Sequence, residues 1–248
     1  MNKIEPRMFG AYRMSGEKKE NYSLIDKLPP SYQRHVLSPF IIVAKKINPH
    51  PVMIDFASGL GGAADYFNSQ GFKAIKVDPS KDALFAAQGD KVIAKADRNY
   101  SLPFKDLSVD TIHMKDAMVH INDQHYFFEE LYRILKPNGL LLITNTDYDD
   151  GPFFVYRYKM PFGLNYERRK YFKFPSDYEN CATSLLNNIF IRHELIGPPY
   201  YPVKKKDLEK FAFSLGLEKK DEKTWKPDED EKDWYKDERR FVLVFEKI

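Results

Sequence analysis

The chain reads as an α/β domain with a mainly parallel sheet covered by helices on both faces. Three observations predict this. Short apolar runs at 52–54, 73–78, 91–97, 109–114 and 140–144 alternate with segments of helical spacing. A glycine-rich turn, in "DFASGLGGAADYF", joins the first run to the first of those helices. The 248 residues, 43% of them hydrophobic, can fill one large core of this kind. Alternating strands and helices pair their strands in parallel, because each crossover helix returns the chain to the same end of the sheet.

Taken in order, residues 1–48 form an N-terminal arm with helices. Residues 1–22 are polar with scattered aromatics, and Tyr12 and Tyr22 are candidates to close over a site. In 23–47, Val36, Leu37, Phe40, Ile41 and Val43 recur at helical spacing, which predicts one or two helices broken near Pro29–Pro30 and Pro39. Residues 49–147 form the core. It comprises a first strand, the turn, a helix over 63–69 stopped by Gly71, and a strand over 73–78. Then come a helix over 80–88 capped by Ser80 and strands over 91–97 and 109–114. A helix over 125–136, ended by Pro137, Asn138 and Gly139, leads into the fifth strand over 140–144. Residues 148–202 are aromatic, proline-punctuated and too long for a plain connection, so they read as an insertion or cap. Residues 203–248 supply a helix over 205–217, a solvated charged loop over 226–240 and a final strand. No repeats interrupt this order, and 1–248 reads as a single domain.

Composition narrows the function. The 39 basic and 36 acidic residues leave a net charge of +3, a mixed surface rather than a nucleic-acid-binding one. No apolar run approaches the ~20 residues of a membrane span. The N-terminus lacks the apolar core of a secretory signal. The single cysteine, Cys181, excludes an internal disulfide framework and a cysteine zinc site. Asp147, Asp149 and Asp150 cluster, but no partner ligands stand at diagnostic spacing, so no metal is expected. A cytoplasmic protein, monomeric or homodimeric, is the expectation.

The turn is the chemical signal. Gly59 and Gly61 let a ligand approach the backbone, and the following helix offers free N–H groups. Asp78 ends the second strand, where a carboxylate can accept from both hydroxyls of a ribose. An adenosine-bearing cofactor follows. The stretch "GLGGAA" satisfies the dinucleotide pattern G-x-G-x-x-A, but Asp55 before it would repel a pyrophosphate and welcome a cationic or amino-acid-bearing ligand.

The run from Asp55 to Gly61, D-F-A-S-G-L-G, resembles the first motif of class I S-adenosylmethionine-dependent methyltransferases, of the type 11-like kind. Ala57 replaces that motif's first glycine. "IKVDPS", "KADRNYSLPFKDLSVDTI" and "LYRILKPNGLLLIT" resemble later motifs of the family in order, so the likeness spans about residues 50–146. It implies a Rossmann-like, mostly parallel seven-stranded sheet ending in an antiparallel pair. It also implies S-adenosyl-L-methionine as cofactor and S-adenosyl-L-homocysteine as product. By position, Ala57, Ser58, Gly59 and Gly61 would pass the methionine part, and Asp55 would orient its amino group. Asp78, followed by Pro79, would hold the ribose. Asp97 and the Arg98 backbone would face the adenine, and Lys115 would line the methionine end.

"MKDAMVHIND" resembles a segment of small-amine methyltransferases acting on phosphoethanolamine, sarcosine or glycine, which makes His120 the candidate base. In the insertion, Tyr148, Phe153, Phe154, Tyr156, Tyr158 and Phe162 either wall the acceptor or pack a small core of their own. Arg168, Arg169 and Lys170 either bind an anion or sit on a solvated helix face. The leading reading is methyl transfer to a small-molecule amine, phenol or quinone, or carboxylate. Protein or nucleic-acid methylation, a non-catalytic cofactor-binding module, and a nicotinamide oxidoreductase stay as alternatives.

Overall fold

Pro30 opens the helical run, at a first-turn position where its missing N–H leaves no bond unmade. This holds in a computed structural model that describes residues 28–79, 89–93, 101–121, 123–146, 153–159, 165–171, 192–201, 203–225 and 240–248. Helix α1 (Pro30–Tyr32) continues through a π-helical turn (Gln33–Leu37) into α2 (Ser38–Ile47). The break expected near Pro39 does not occur. Pro39 has no N–H for the carbonyl four residues back, and the wider π turn carries the chain past it. There the Ser38 hydroxyl donates to the Gln33 carbonyl at 2.9 Å.

The first βαβ unit follows the sequence closely: β1 (Val52–Phe56), α3 (Gly62–Ser69) and β2 (Lys73–Asp78). Strand β3 (Lys91–Ile93) starts where expected; the expected helix over 80–88 and residues 94–97 lie outside the described residues. Strand β4 (Val109–Lys115) leads through a 3-10 turn (Met118–His120) to α4 (Gln124–Ile134). The Asp123 carboxylate caps α4 by accepting from Tyr126 N at 3.0 Å.

Three expectations on the later elements are corrected. Helix α4 ends at Ile134, and β5 (Leu135–Thr146) begins before Pro137. Leu135 pairs with Val109 and Leu140 with Thr111, so residues 136–139 bulge out of the ladder, with Asn138 at φ 58°. The helix expected over 205–217 is α5 (Lys205–Ser214), and Leu217 starts β9 (Leu217–Trp225) beyond Gly216 at φ 87°. The sequence of β9, LEKKDEKTW, is too charged to read as a strand; it forms one edge of the sheet, where charge is tolerated and blocks further pairing. Among its described residues the insertion carries strands: β6 (Phe153–Lys159), β7 (Asn165–Tyr171) and β8 (Arg192–Tyr200) form an antiparallel sheet in the order β7-β6-β8. Arg168, Arg169 and Lys170 therefore stand on a strand. Tyr148, Phe162 and the acidic group at 147–150 lie outside the described residues.

With β10 (Arg240–Lys247), the main sheet has seven strands in the order β3-β2-β1-β4-β5-β10-β9. It is parallel from β3 to β5, and β10 is antiparallel to both of its neighbours. Alternation sends successive side chains to opposite layers. Leu140, Leu142, Val242 and Val244 join Phe40, Ile41 and Phe67 of α2 and α3. Leu141, Ile143, Leu243 and Phe245 join Phe127, Leu131, Leu208 and Ala212 of α4 and α5. Helices thus cover both faces. No described helix is long and apolar enough to cross a membrane.

Candidate active site

Strands β1 and β4 are neighbours, yet the chain leaves β1 toward β2 and leaves β4 toward β5. A crevice opens at such a reversal, beyond the carboxyl ends of the strands. The turn after β1 faces it. Ala57, Gly59 and Gly61 all take left-handed conformations, at φ 55°, 56° and 90°. Ala57 thus adopts a glycine-like conformation where the resembled motif has glycine, at a strain of about 1–2 kcal/mol. The turn is pinned from three sides. Ser58 N donates to the Val77 carbonyl at 3.2 Å, Gly61 N to the Ser58 carbonyl at 2.8 Å, and Gly59 N to Asp78 Oδ2 at 2.9 Å.

The two glycines serve different ends. A Cβ on Gly59 would meet nothing within 4 Å, so that face of the turn is open. A Cβ on Gly61 would stand 2.2 Å from Lys76 Cε and 2.4 Å from Cδ. Lys76 is buried to 1% exposure and runs beneath the turn to an ion pair with Asp65 at 2.6 Å. Gly61 clears a lysine, whereas Gly59 faces open space.

Asp55, the acid before the turn, points into the protein and is 2% exposed. Its Oδ2 accepts from Ala64 N at 3.0 Å, and its Oδ1 is bonded to His113 Nδ1 at 2.7 Å. The helix-capping residue of α3 is Gly61, which has no side chain to offer, so Asp55 satisfies the helix N-terminus from the strand below. His113 Nε2 lies 2.8 Å from the Tyr32 hydroxyl, which lies 2.9 Å from Thr144 Oγ1.

Beyond β4, Asp116 holds a positive φ of 53°, and its N–H donates to the Thr144 carbonyl at 2.8 Å. The Lys115 ammonium donates to its carboxylate at 2.9 Å and the Arg240 guanidinium at 3.1 Å. Burial alone would raise the Asp116 carboxyl, but the Lys115 and Arg240 charges outweigh it and hold it below the usual carboxylate range. His120 is exposed at the end of the 3-10 turn, and its charge acts on Asp116 in the same direction. Tyr201 N donates to the Val119 carbonyl at 2.7 Å, which ties the chain just past β8 to the turn bearing His120.

The donor set fits an S-adenosyl group. The turn is open above Gly59, and the Ser58 hydroxyl is buried with no hydrogen-bond partner among the described residues. Asp78, 8% exposed, stands at the end of β2, with Pro79 exposed after it. Of the residues singled out in the sequence, Asp55, Ala57, Ser58, Gly59, Gly61 and Asp78 come together around the turn. Lys115 and His120 stand on the β4 side, and Asp97 and Arg98 lie outside the described residues. Sequence reasoning missed Asp116, Arg240, Lys76 and the partners of Asp55. Asp116 lies inside the quoted "MKDAMVHIND". Lys76 and His113 each fall on the side of their strand shared with Ala74 or Thr111, a parity that marks them as inward.

Comparison with known proteins agrees with this geometry. Residues 54–143 match the family model described as a methyltransferase domain. The chain is 29% identical over 108 residues to a phosphoethanolamine N-methyltransferase of Plasmodium falciparum, covering 40% of this chain and 41% of that protein. It is 26% identical over 114 residues to a glycine/sarcosine/dimethylglycine N-methyltransferase of Actinopolyspora halophila, covering 42% of this chain and 20% of that one. The match thus spans less than half the length of these relatives. An S-adenosylmethionine-dependent methyltransferase structure from Mesorhizobium loti shares the fold, with a TM-score of 0.55 at 12% identity over 84% of this chain and 96% of that one. The resemblance to class I S-adenosylmethionine-dependent methyltransferases holds over residues 54–143, and with it the seven-stranded fold.

Proposed function

We propose that this chain, whose residues 54–143 carry a methyltransferase domain, transfers a methyl group to a small-molecule acceptor, and that a small amine is the favoured class. The observation that carries the reading is the turn itself: open above Gly59, fixed by Asp78 and set at the β1/β4 reversal. Bound S-adenosylmethionine supplies an activated methyl group on a sulfonium. The chain's part is to align the acceptor and manage charge.

Asp116 supports the amine. It stays ionised between Lys115 and Arg240 at the carboxyl end of β4, and it offsets the positive charge that nitrogen carries before and after methylation. An ammonium acceptor must lose a proton before its lone pair forms the new N–C bond. His120, whose charge is felt at Asp116, takes that proton and releases it to solvent in this reading. The names of the two curated relatives, both N-methyltransferases, point to the same class.

The test is calorimetric titration with S-adenosylmethionine, S-adenosylhomocysteine and NAD, followed by a turnover screen of small amines, phenols and carboxylates. Micromolar binding of the first two, weakened about 10-fold or more in Asp78→Asn, is expected. Amine-dependent release of S-adenosylhomocysteine should follow. Binding of NAD alone would overturn the cofactor, and cofactor binding without turnover on any acceptor would leave a non-catalytic module.

A further inference from the structure

Four buried side chains from four elements form one continuous hydrogen-bonded path beneath the cofactor turn. Thr144 of β5 meets Tyr32 of α1 at 2.9 Å, Tyr32 meets His113 of β4 at 2.8 Å, and His113 meets Asp55 of β1 at 2.7 Å. Exposure along the path is 0%, 0%, 1% and 2%. The path ends at the N-terminus of α3, where Asp55 accepts from Ala64 N. None of these groups is needed for the proton or the charge in the proposed reaction.

The chemistry of the groups sets the direction of the bond at Asp55. Asp55 can only accept, so His113 Nδ1 carries a hydrogen toward it. The Tyr32 hydroxyl joins His113 Nε2 on one side and Thr144 Oγ1 on the other, so it can donate to one and accept from the other. Each member therefore sets the orientation of the next, and the last sets where the α3 N-terminus rests on the sheet. The turn over 57–61 is strung between Asp55 and Ala64, so its shape inherits that position. Tyr32 fixes the turn from outside the βαβ unit, because it sits on the helix that precedes β1.

We infer that Tyr32 is a positioning residue: acting through His113 and Asp55, it presets the glycine turn and the start of α3 for the S-adenosyl group, so cofactor affinity depends on a fully buried hydroxyl. This rests on the cofactor reading above. Tyr32→Phe removes the hydroxyl and keeps the ring, leaving His113 Nε2 without this partner. Thr144→Val spares the Tyr32–His113 bond, because that bond uses only the Tyr32 hydroxyl and His113 Nε2. The two variants therefore differ: Tyr32→Phe weakens binding about 5- to 10-fold and Thr144→Val less than about 2-fold.

The experiment titrates S-adenosylhomocysteine into wild type, both variants and Ile41→Val. The last is a packing change on α2, in the same apolar layer but off the path. Melting temperatures are read alongside, and the His113 imidazole signals are followed by nitrogen-15 NMR. The expected result is a selective loss of affinity in Tyr32→Phe, none in Ile41→Val at a comparable loss of melting temperature, and a shift of the wild-type His113 signals on saturation. Tyr32→Phe binding within 2-fold of wild type, or an equal loss in Ile41→Val, overturns the inference alone. If Tyr32→Phe does not fold, unmoved His113 signals in saturated wild type overturn it. A wild-type chain that fails to bind overturns the cofactor reading and this inference with it.

Discussion

Replacing each turn glycine with alanine separates the two jobs that the motif combines. At Gly59 the φ of 56° lies in the left-handed well, and the new Cβ meets nothing within 4 Å. The cost to stability is the conformational term, about 1–2 kcal/mol. At Gly61 the φ of 90° lies further from that well, and the Cβ collides with Lys76 at 2.2 Å (Cε), 2.4 Å (Cδ) and 2.8 Å (Nζ). The end of Lys76 can swing aside, but only by leaving a buried position and its 2.6 Å pair with Asp65. That pair is exposed on the Asp65 side and worth up to about 1 kcal/mol. With the overpacking term, Gly61→Ala totals about 2–4 kcal/mol. For a chain of this size that is a fall of roughly 5–15 °C in melting temperature. Affinity should run the other way, since the Gly59 methyl enters the open face where the ligand passes. The assay is a pair of melting curves and S-adenosylhomocysteine titrations. It is completed by the double variant Gly61→Ala/Lys76→Ala, which should recover about 1 kcal/mol relative to additivity. Equal melting temperatures for the two single variants, with no coupling in the double, would refute the assignment of Gly61 to Lys76.

Two further predictions concern charge. His120→Ala should remove the rise of kcat with pH expected of a histidine base while leaving cofactor affinity within about 2-fold, and Asp116→Asn should raise KM for a cationic amine more than for a phenol; pH–rate profiles that superimpose for wild type and His120→Ala would exclude the base. Acid stability should fall below the ordinary carboxylate values of 3.8 and 4.5, because Asp110, Asp116 and Glu130 are all depressed in the fold. Their contribution is present above those values and lost as pH falls through the lower folded ones. Arg133 is the main cause for Glu130 and also donates to Asp106 and to the Leu102 and Phe104 carbonyls. Arg133→Gln should cost about 1–3 kcal/mol at pH 7 and less at pH 3, read by urea unfolding at both.

The core was legible because its signals are local. The 73–78 strand matches β2 residue for residue, since KAIKVD is bounded by Gly71 and Pro79. What misled were positions where pairing overrode local preference. LEKKDEKTW has no apolar alternation, yet it forms a strand because β10 offers it a partner. Pro137 and Gly139 signal the end of a helix, and they do sit where the chain leaves regular pairing. The break falls inside an extended segment, because Leu135 has already joined Val109. Among the described residues the strands of the insertion pair with one another and not with the main sheet, so nothing in the core pattern points to them.

The site was legible along the chain and hidden across it. The turn and Asp78 follow one another in sequence, and the motif names them in order. The reasons for the motif lie on other strands. In the sheet register Asp55 stands beside Lys76 on one side and His113 on the other. One neighbour explains why residue 61 lacks a side chain, and the other explains where the Asp55 carboxylate is aimed. Neither follows from spacing, because a register shift of one residue would send both side chains to the opposite layer. The acid that the sequence suggests for the cofactor's amino group is, in the fold, the cap of α3 and the end of a buried path from Tyr32. Asp55 anchors the turn from below, whereas Asp78 fixes the turn and stands at the strand end that faces the crevice. The two acids are alike in sequence, but one is built into the floor of the site and the other into its wall.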